Sequence, residues 1–165
     1  MTYSYILILF IFNKKESCVF YVFDNMPLLI AGNSLFLARA VATLNGTRNI
    51  RFPEVLYNEG NDYDPNTGVY TCRIPGTYWF SASLGKGSGF NEYISCRIFV
   101  NDNLTIGLFF ILNNDKHNSY FTVSGSGGFH LDKGDRLWVG NCDYPENIFP
   151  GSNTYFSGVL IRPDA

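Results

Sequence analysis

The sequence predicts an all-β domain of about ten antiparallel strands, which fits the two packed sheets of a jelly roll. From residue 35 onward, short apolar or alternating segments recur at intervals of about 8–12 residues, with turn residues between them. Aromatic residues make up 17% of the chain and 16 residues are glycine, whereas only 16% are charged. This composition favours strands and tight turns over helices. Periodicity alone does not separate a jelly roll from an immunoglobulin-type sandwich.

The length of 165 residues indicates one domain with room for a hydrophobic core. We place this domain at residues 35–165 and assign residues 1–34 to a leader. Residues 6–12 form an apolar run that is too short for a membrane-spanning helix of about 20 residues. The run fits the core of a signal peptide, although Lys14 and Lys15 follow it instead of preceding it. The alternatives are an unstructured leader and a misassigned start of the reading frame.

Residues 76–84 are the most regular predicted strand. Every second side chain is apolar and suits a core face, whereas Trp79 on the opposite face is exposed or lies at an interface. Glycines at alternate positions in residues 85–89 predict that a flexible loop follows this strand. The predicted core face consists of Tyr78, Phe80, Ala82 and Leu84.

The next two strands are separated by a short turn. Residues 91–100 alternate between apolar and polar, and residues 101–103 predict the turn. Residues 105–112 are almost wholly apolar, which predicts burial on both faces. In a jelly roll the second of these faces would be covered by another subunit.

Residues 119–131 predict a long strand that is interrupted by glycines. Such glycines favour a bulge or a close approach of another backbone. They are Gly125, Gly127 and Gly128. The predicted set ends with strands at residues 135–141 and 154–162, which flank a polar loop at residues 142–153.

The sequence carries no pattern of a nucleic-acid-binding protein or of an enzyme. The formal net charge is −2 and no long run of one sign occurs, so we expect no nucleic-acid partner. His117 and His130 lack metal-ligand spacing, and no G-x-S-x-G elbow, Walker loop or dinucleotide-binding fingerprint is present. Ser124 and Ser126 lie in the glycine-rich part of a predicted strand. We therefore expect a binding protein instead of an enzyme.

Residues 52–82 resemble the signature segment of the globular complement C1q domain. That signature runs Phe, five residues, Asn or Asp, four residues, an aromatic, six residues, Phe, five residues and Gly-x-Tyr-x-Phe, a spacing that this sequence follows. Tyr70 stands where the family usually has Phe, and Ala82 where it usually has an aromatic. The matching positions are Phe52, Asn58, Tyr63, Tyr70, Gly76, Tyr78 and Phe80.

Two further segments agree with this resemblance. Residues 134–139 resemble the family's G-D-x-V-W-V strand, and residues 156–161 resemble its closing F-S-G-x-L-L. The resemblance implies the tumour-necrosis-factor-like jelly roll and assembly as a homotrimer around a three-fold axis. Because no Gly-X-Y repeat is present, the chain resembles a stalkless, single-domain form.

The resemblance also implies a function. We expect a secreted, non-enzymatic, lectin-like protein that binds microbial or other surface glycans in innate-immune pattern recognition. The alternative is a trimeric extracellular signalling ligand for a cell-surface receptor, as in cerebellin-like members. The missing collagen repeat argues against a structural, network-forming role. Residues 106–112 and 155–161 are expected to build the trimer contact or the core beneath it.

The chain contains four cysteines. Cys72 and Cys96 share the parity of apolar neighbours, so both point toward an apolar face if their segments are strands. In some C1q chains cysteines at these places form an intradomain disulfide, and the resemblance carries that pairing to Cys72 and Cys96. The alternative is two buried free thiols, which behave as small apolar side chains. Cys142 has no evident partner, and Cys18 lies in the leader.

The polar loop before the last strand is the predicted ligand-binding site. It combines aromatic and polar side chains on a rigid scaffold, where binding residues commonly lie. Aromatic faces stack on sugars, while amides and carboxylates accept hydrogen bonds from hydroxyl groups. The alternative for each aromatic is that it packs into the edge of the domain. The candidate residues are Tyr144, Glu146, Asn147 and Phe149.

Two kinds of modification or metal binding are also expected from the sequence. Several C1q-like domains bind calcium in loops, and carboxylate oxygens suit this hard cation. The calcium candidates are Asp115, Asp143 and Glu146, for which a solvated surface is the alternative; no other cofactor is expected. Asn45 and Asn103 begin N-glycosylation sequons in predicted turns, where a glycan can project.

Overall fold

The computed structural model describes residues 34–39, 42–43, 49–87, 94–110, 121–143 and 145–165, without the side chains of residues 42–43 and 104–110. These residues form strands and one 3-10 turn, Pro145–Asn147, and contain no helix that could cross a membrane. In chain order the strands are β1 (Leu35–Arg39), β2 (Ala42–Thr43), β3 (Ile50–Arg51), β4 (Glu54–Glu59), β5 (Tyr63–Asp64), β6 (Val69–Thr71), β7 (Gly76–Lys86), β8 (Ile94–Val100), β9 (Asn103–Phe110), β10 (Phe121–Leu131), β11 (Arg136–Asp143), β12 (Ile148–Phe149) and β13 (Tyr155–Pro163).

The strands pair into two large antiparallel sheets. The first sheet has the order β10-β7-β13-β1-β4, and β12 pairs with the end of β7. The second sheet has the order β5-β6-β11-β8-β9, and β2 pairs with β3 in a separate ribbon. Neighbouring strands are often distant in sequence because the chain crosses between the sheets, as in a jelly roll. The predicted all-β, two-sheet architecture is confirmed.

The core is shared by both sheets and is rich in aromatic rings. Phe36 of β1 stacks on Tyr63 with ring centroids 4.7 Å apart, and it meets Phe156 of β13 edge-on at 5.0 Å. Such pairs each contribute about 0.5–1.5 kcal/mol beyond the burial of their surface. The predicted core face of β7 is confirmed, since its four members are fully buried: Tyr78, Phe80, Ala82 and Leu84.

Three residues of the predicted signature form one hydrogen-bonded unit. The Asn58 amide donates to the carbonyl oxygen of Tyr63 at 2.7 Å, and its oxygen accepts from the Tyr63 N–H at 3.2 Å. The Tyr63 hydroxyl then bonds both backbone groups of Phe52, at 3.0 and 3.2 Å. Each contact satisfies a backbone group that pairing along β4 and β5 leaves open. The spacing of the signature therefore reflects a backbone-bracing network.

Ser34 belongs to the folded domain, although we placed it at the end of the leader. It is buried, and its hydroxyl donates to Asp62 at 2.7 Å while the Tyr70 hydroxyl lies 2.8 Å away. Asp62 also accepts a hydrogen bond from Arg73 at 3.0 Å. Residues 1–33 of the predicted leader lie outside the described residues, so its identity as a signal peptide stays a prediction.

Two expectations about the glycine-rich segments are corrected. The strand β7 continues through Gly85 to Lys86, where we expected a flexible loop, because β10 and β12 hydrogen-bond to both of its edges there. The strand β10 keeps one unbroken register with β7 from Phe121 to Leu131, so it contains no bulge. At Gly128 the nearest atoms to an added Cβ would belong to Trp79 and Tyr78 at 3.8 Å, an ordinary contact distance.

The disulfide joins Cys96 to Cys142, and the predicted bond between Cys72 and Cys96 is wrong. Cys96 of β8 and Cys142 of β11 lie on neighbouring strands with Cα atoms 4.1 Å apart. Cys72 follows β6, which pairs with the opposite end of β11, since Thr71 lies across from Arg136. The six residues from there to Cys142 span roughly 20 Å of strand, too far for a disulfide. Cys72 is instead a buried free thiol.

The strand β9 forms one edge of the second sheet. Asn101 and Asp102 connect it to β8 with positive φ angles of 48° and 65°, typical of a type I′ hairpin turn, which confirms the predicted turn. The side chains of residues 104–110, and all of residues 111–112, lie outside the described part of the chain. The predicted burial of this apolar run on both faces therefore stays a prediction.

Candidate ligand-binding site

The predicted ligand-binding loop lies at one end of the first sheet. The 3-10 turn leads directly into β12, which pairs with the last two residues of β7. Phe149 is 47% exposed and Glu146 is exposed as well, so both side chains reach solvent as the sequence predicted. Tyr144 lies outside the described residues. The structure thus places an accessible aromatic ring and a carboxylate on this loop.

Asn147 has a different environment from the one we expected. It is buried, and its carbonyl oxygen accepts a hydrogen bond from the Gly87 N–H at 3.1 Å. Its amide nitrogen is buried and has no hydrogen-bond partner among the residues that the structure describes. The Asn147 side chain therefore lies beneath the loop instead of on the ligand-accessible surface.

A cavity of about 170 Å³ lies beside Phe149. Two aromatic rings and several hydroxyl or amide side chains contribute to its wall. The lining comprises Gly85 and Lys86 of β7, Phe121 and Thr122 of β10, Phe149 of β12, and residues 151–153.

The cavity results from a glycine at the centre of a three-strand row. Thr122 lies opposite Gly85 on one side and Phe149 lies opposite Gly85 on the other. Residues directly opposite in a sheet point to the same face, so Thr122 and Phe149 flank a position without a side chain. The missing side chain leaves a hollow between them.

The far wall of the cavity is fixed by a network around Thr154. Its hydroxyl donates to the carbonyl oxygen of Phe149 at 2.6 Å and accepts from the N–H of Gly85 at 2.9 Å. The Gly151 N–H also bonds the Phe149 carbonyl, at 2.8 Å. A Cβ at Gly151 would lie 2.6 Å from the Phe149 ring, so only glycine lets this ring settle over the loop. The loop is consequently held in one shape before any ligand arrives.

Lys86 contributes its side chain to the cavity wall from a buried position. Its ammonium group donates to the carbonyl oxygen of Gly87 at 3.4 Å. The positive charge is thus engaged by the protein itself, and the solvent-facing groups of the cavity are uncharged: Thr122, Ser152 and Asn153, all exposed.

The calcium candidates do not form a described metal centre. Asp143 is half-buried at the end of β11, Glu146 is exposed on the 3-10 turn, and Asp115 lies outside the described residues. In the described part of the chain, no three His, Cys, Asp or Glu side chains cluster as metal ligands. Calcium binding stays a prediction from the sequence.

The residues considered for catalysis are used in other ways. His130 of β10 lies 3.5 Å from Asp164, and both side chains are exposed. Ser124 and Ser126 lie opposite Ser83 and Ser81 on neighbouring β7, in an uninterrupted sheet. His117 lies outside the described residues. Where the structure describes them, these groups form sheet and surface contacts.

An apolar surface covers the outer side of the first sheet. Leu35, Val159 and Trp79 lie directly opposite one another on β1, β13 and β7. Leu35 is 38% exposed and Trp79 is 48% exposed. Ile161, which is 53% exposed, extends this surface along β13. We call these residues, together with Leu37, the apolar face.

The strand β13 serves both the core and the apolar face. Phe156 and Leu160 are buried, whereas Val159 and Ile161 point outward. The prediction that residues 155–161 build the trimer contact or the core beneath it therefore divides by parity along the strand. Contiguous apolar surface of this kind typically marks an interaction site.

Sequence reasoning found Phe149 but missed the rest of the cavity. Gly85 and Thr122 come together only through pairing of β7 with β10, and Thr154 joins them through a side-chain bond. No local motif links these positions, since they are separated by long stretches of chain. The only local signal was Gly85, which we took for a loop residue.

Comparisons with known proteins agree with this fold. The family model described as "C1q domain" matches residues 35–161. One of the proteins that make up the complement C1q subcomponent of Mus musculus is 31% identical over 116 residues, covering 70% of this chain and 44% of that protein. A different member of the same subcomponent, from Bos taurus, is 34% identical over 116 residues, covering 69% and 46%. The chain thus spans less than half the length of these curated relatives.

Solved structures show the same architecture. The globular domain of zebrafish complement 1qA protein superposes with a TM-score of 0.58 and 20% identity, covering 79% of this chain and 99% of that one. A crystal structure of murine APRIL has a TM-score of 0.58 and 11% identity, covering 78% and 99%. At such identities the likeness concerns the fold alone.

Proposed function

Because this chain belongs to the C1q domain family, we propose that it is a secreted, non-enzymatic recognition protein that forms homotrimers and binds microbial or other surface glycans in innate immunity. The family relationship supports a recognition role, and the loop end of the first sheet offers a pre-shaped surface for it. The names of the relatives describe them as subunits, which supports function in an assembly.

The single observation that carries this proposal is the apolar face. A sheet that leaves Trp79, Leu35 and Ile161 in water gains free energy when a neighbouring copy of the chain covers them. A cyclic trimer closes such a surface, because each protomer presents one patch and receives its neighbour on another. Three copies then display three loop ends toward one target surface.

Trimer formation suits glycan recognition energetically. A single sugar offers few atoms for contact, so one site binds it weakly. Linking three sites raises the overall affinity through effective concentration, without any new contact. Repetitive surface glycans are the targets for which this gain is largest.

Two further observations support secretion. The disulfide between Cys96 and Cys142 is typical of oxidising compartments outside the cytosol. Asn103 is exposed at the start of β9, where its sequon is accessible to glycosylation. Asn45 lies outside the described residues.

A glycan array and a panel of bacterial polysaccharides, probed with the purified chain, test this function. We expect selective binding that weakens when the trimer is disrupted. A parallel pull-down with cell-surface extracts tests the alternative function as a signalling ligand. Binding to a cell-surface protein without binding to any glycan would contradict the proposal.

A further inference from the structure

We infer that the cavity between β10, β7 and β12 is a subsite for one uncharged pyranose ring at the end of a surface glycan. The inference rests on the proposed function and deepens it, because it names the binding surface and the chemical class of the ligand. Four observations lead to it: an aromatic platform, an uncharged polar rim, the cavity volume and the rigidity of the loop.

Phe149 supplies the aromatic platform. Its ring is about half exposed and lies over Gly151, whose lack of a side chain keeps the ring in place. A pyranose has one face of C–H groups, which packs against an aromatic ring while its hydroxyl groups stay hydrated or bonded. An exposed aromatic beside polar groups is the arrangement that such an amphipathic ring requires.

The polar rim matches the hydroxyl groups of a sugar. Thr122 lies across the hollow from Phe149, and Ser152 and Asn153 complete the rim. Their hydroxyl and amide groups both donate and accept hydrogen bonds, as sugar hydroxyl groups do. Because the Lys86 ammonium donates to the Gly87 carbonyl, the charge in the wall is engaged, which favours an uncharged sugar.

The size of the cavity limits the ligand to one ring. Its volume of about 170 Å³ is below the roughly 300–1,000 Å³ of pockets for drug-sized ligands. A terminal residue of a glycan enters such a hollow, whereas an internal residue carries chain on both sides. The Thr154 network holds the walls in place, so little conformational entropy is lost on binding.

Chemical-shift mapping with methyl glycosides tests the subsite directly. The assembled wild-type protein is titrated with the methyl glycosides of galactose, mannose, N-acetylglucosamine and N-acetylneuraminic acid. We expect at least one uncharged glycoside to bind with a dissociation constant of about a millimolar and to shift the signals of Gly85, Thr122 and residues 149–153. Shifts confined to other parts of the protein, or binding only of the acidic sugar, would overturn the inference.

Variants separate the platform from general effects on folding. Phe149→Ala is expected to weaken binding about tenfold, whereas Phe149→Trp, which keeps an aromatic ring, should restore most of it. Lys133→Ala, in an exposed turn remote from the cavity lining, is the control and should bind as the wild type. Circular dichroism confirms that each variant is folded.

The outcomes distinguish this inference from the proposed function. If Phe149→Ala retains full binding to the monosaccharide and to the glycan array, the subsite is refuted and glycan recognition stands. If the wild type binds no glycan in either assay, both the subsite and the proposed function are refuted. Loss of monosaccharide binding in Phe149→Ala, with rescue by Phe149→Trp, supports both.

Discussion

Gly158 of β13 is the position at which the aromatic core requires the smallest residue. A Cβ there would collide with the rings of Phe80 and Phe36. Both rings are buried, and protein cores are packed too densely for them to move aside. The glycine of the closing F-S-G motif is therefore explained by the close approach of two rings to the backbone.

We expect Gly158→Ala to lower the free energy of unfolding by about 1–3 kcal/mol, the usual cost of overpacking a core. Equilibrium unfolding in urea measures the loss. Gly128→Ala is the matched control, because an added Cβ there would lie 3.8 Å from its nearest neighbours. The control should change stability by less than about 0.5 kcal/mol. Equal losses in the two variants would contradict the packing argument.

Buried tyrosines give the domain a stability that depends on alkaline pH. Burial raises the pKa of Tyr63 to about 12 and that of Tyr78 to about 12, whereas an unfolded phenol ionises near pH 10. Because the folded pKa is the higher one, the protonated phenols contribute stability that is fully present below about pH 10. This contribution is lost as the pH rises toward 12.

Urea unfolding at about pH 9 and about pH 11 tests this expectation. The free energy of unfolding should fall between the two, and the fall should be smaller in Tyr63→Phe, which lacks one of the phenols. A stability that is unchanged from pH 9 to pH 11 would show that these hydroxyl groups ionise as easily in the folded chain as in the unfolded one.

At the scale of the strands, the pairing of β8 with β11 decides the disulfide. Parity predicted correctly that Cys96 faces inward, and it is fully buried. Parity does not tell which cysteine lies opposite, because that depends on the register between strands distant in sequence. The register brings Cys142 beside Cys96 and leaves Cys72 at the other end of β11.

Peptide mapping under non-reducing conditions is expected to recover one peptide pair that joins Cys96 to Cys142. Burial raises the pKa of the Cys72 thiol, so this residue should react with alkylating reagents only after unfolding. The double variant Cys96→Ala with Cys142→Ala should lose about 2–5 kcal/mol of stability. Rapid alkylation of Cys72 in the folded protein, or its recovery in a disulfide, would contradict the structure.

Local patterns and long-range pairing explain what the sequence could and could not predict. The alternation in β7 and the hairpin turn at Asn101 are local, and both were predicted. The extension of β7 to Lys86 depends on β12, which lies some sixty residues later in the chain, so local glycine content misled the prediction. The same reason explains the candidate site, where Phe149 was recognised but its partners Gly85 and Thr122 were not.

For the whole molecule, the apolar face is the feature that a monomer does not explain. A Trp79→Asp variant places a charge at the centre of this face, where a neighbouring protomer would bury it, and an unpaired buried charge is strongly unfavourable. We expect this variant to sediment as a folded monomer and to lose most binding to glycan surfaces through loss of avidity. Thr71→Asp, exposed on the second sheet, is the control and should assemble as the wild type.

Multi-angle light scattering of the unmodified protein tests trimer formation most directly. The expected mass at micromolar concentration is three times that of one chain. This result would agree with a cyclic assembly that covers the apolar face. A stable, soluble monomer at the same concentration would contradict it, because Leu35, Trp79 and Ile161 would then remain in water without a partner.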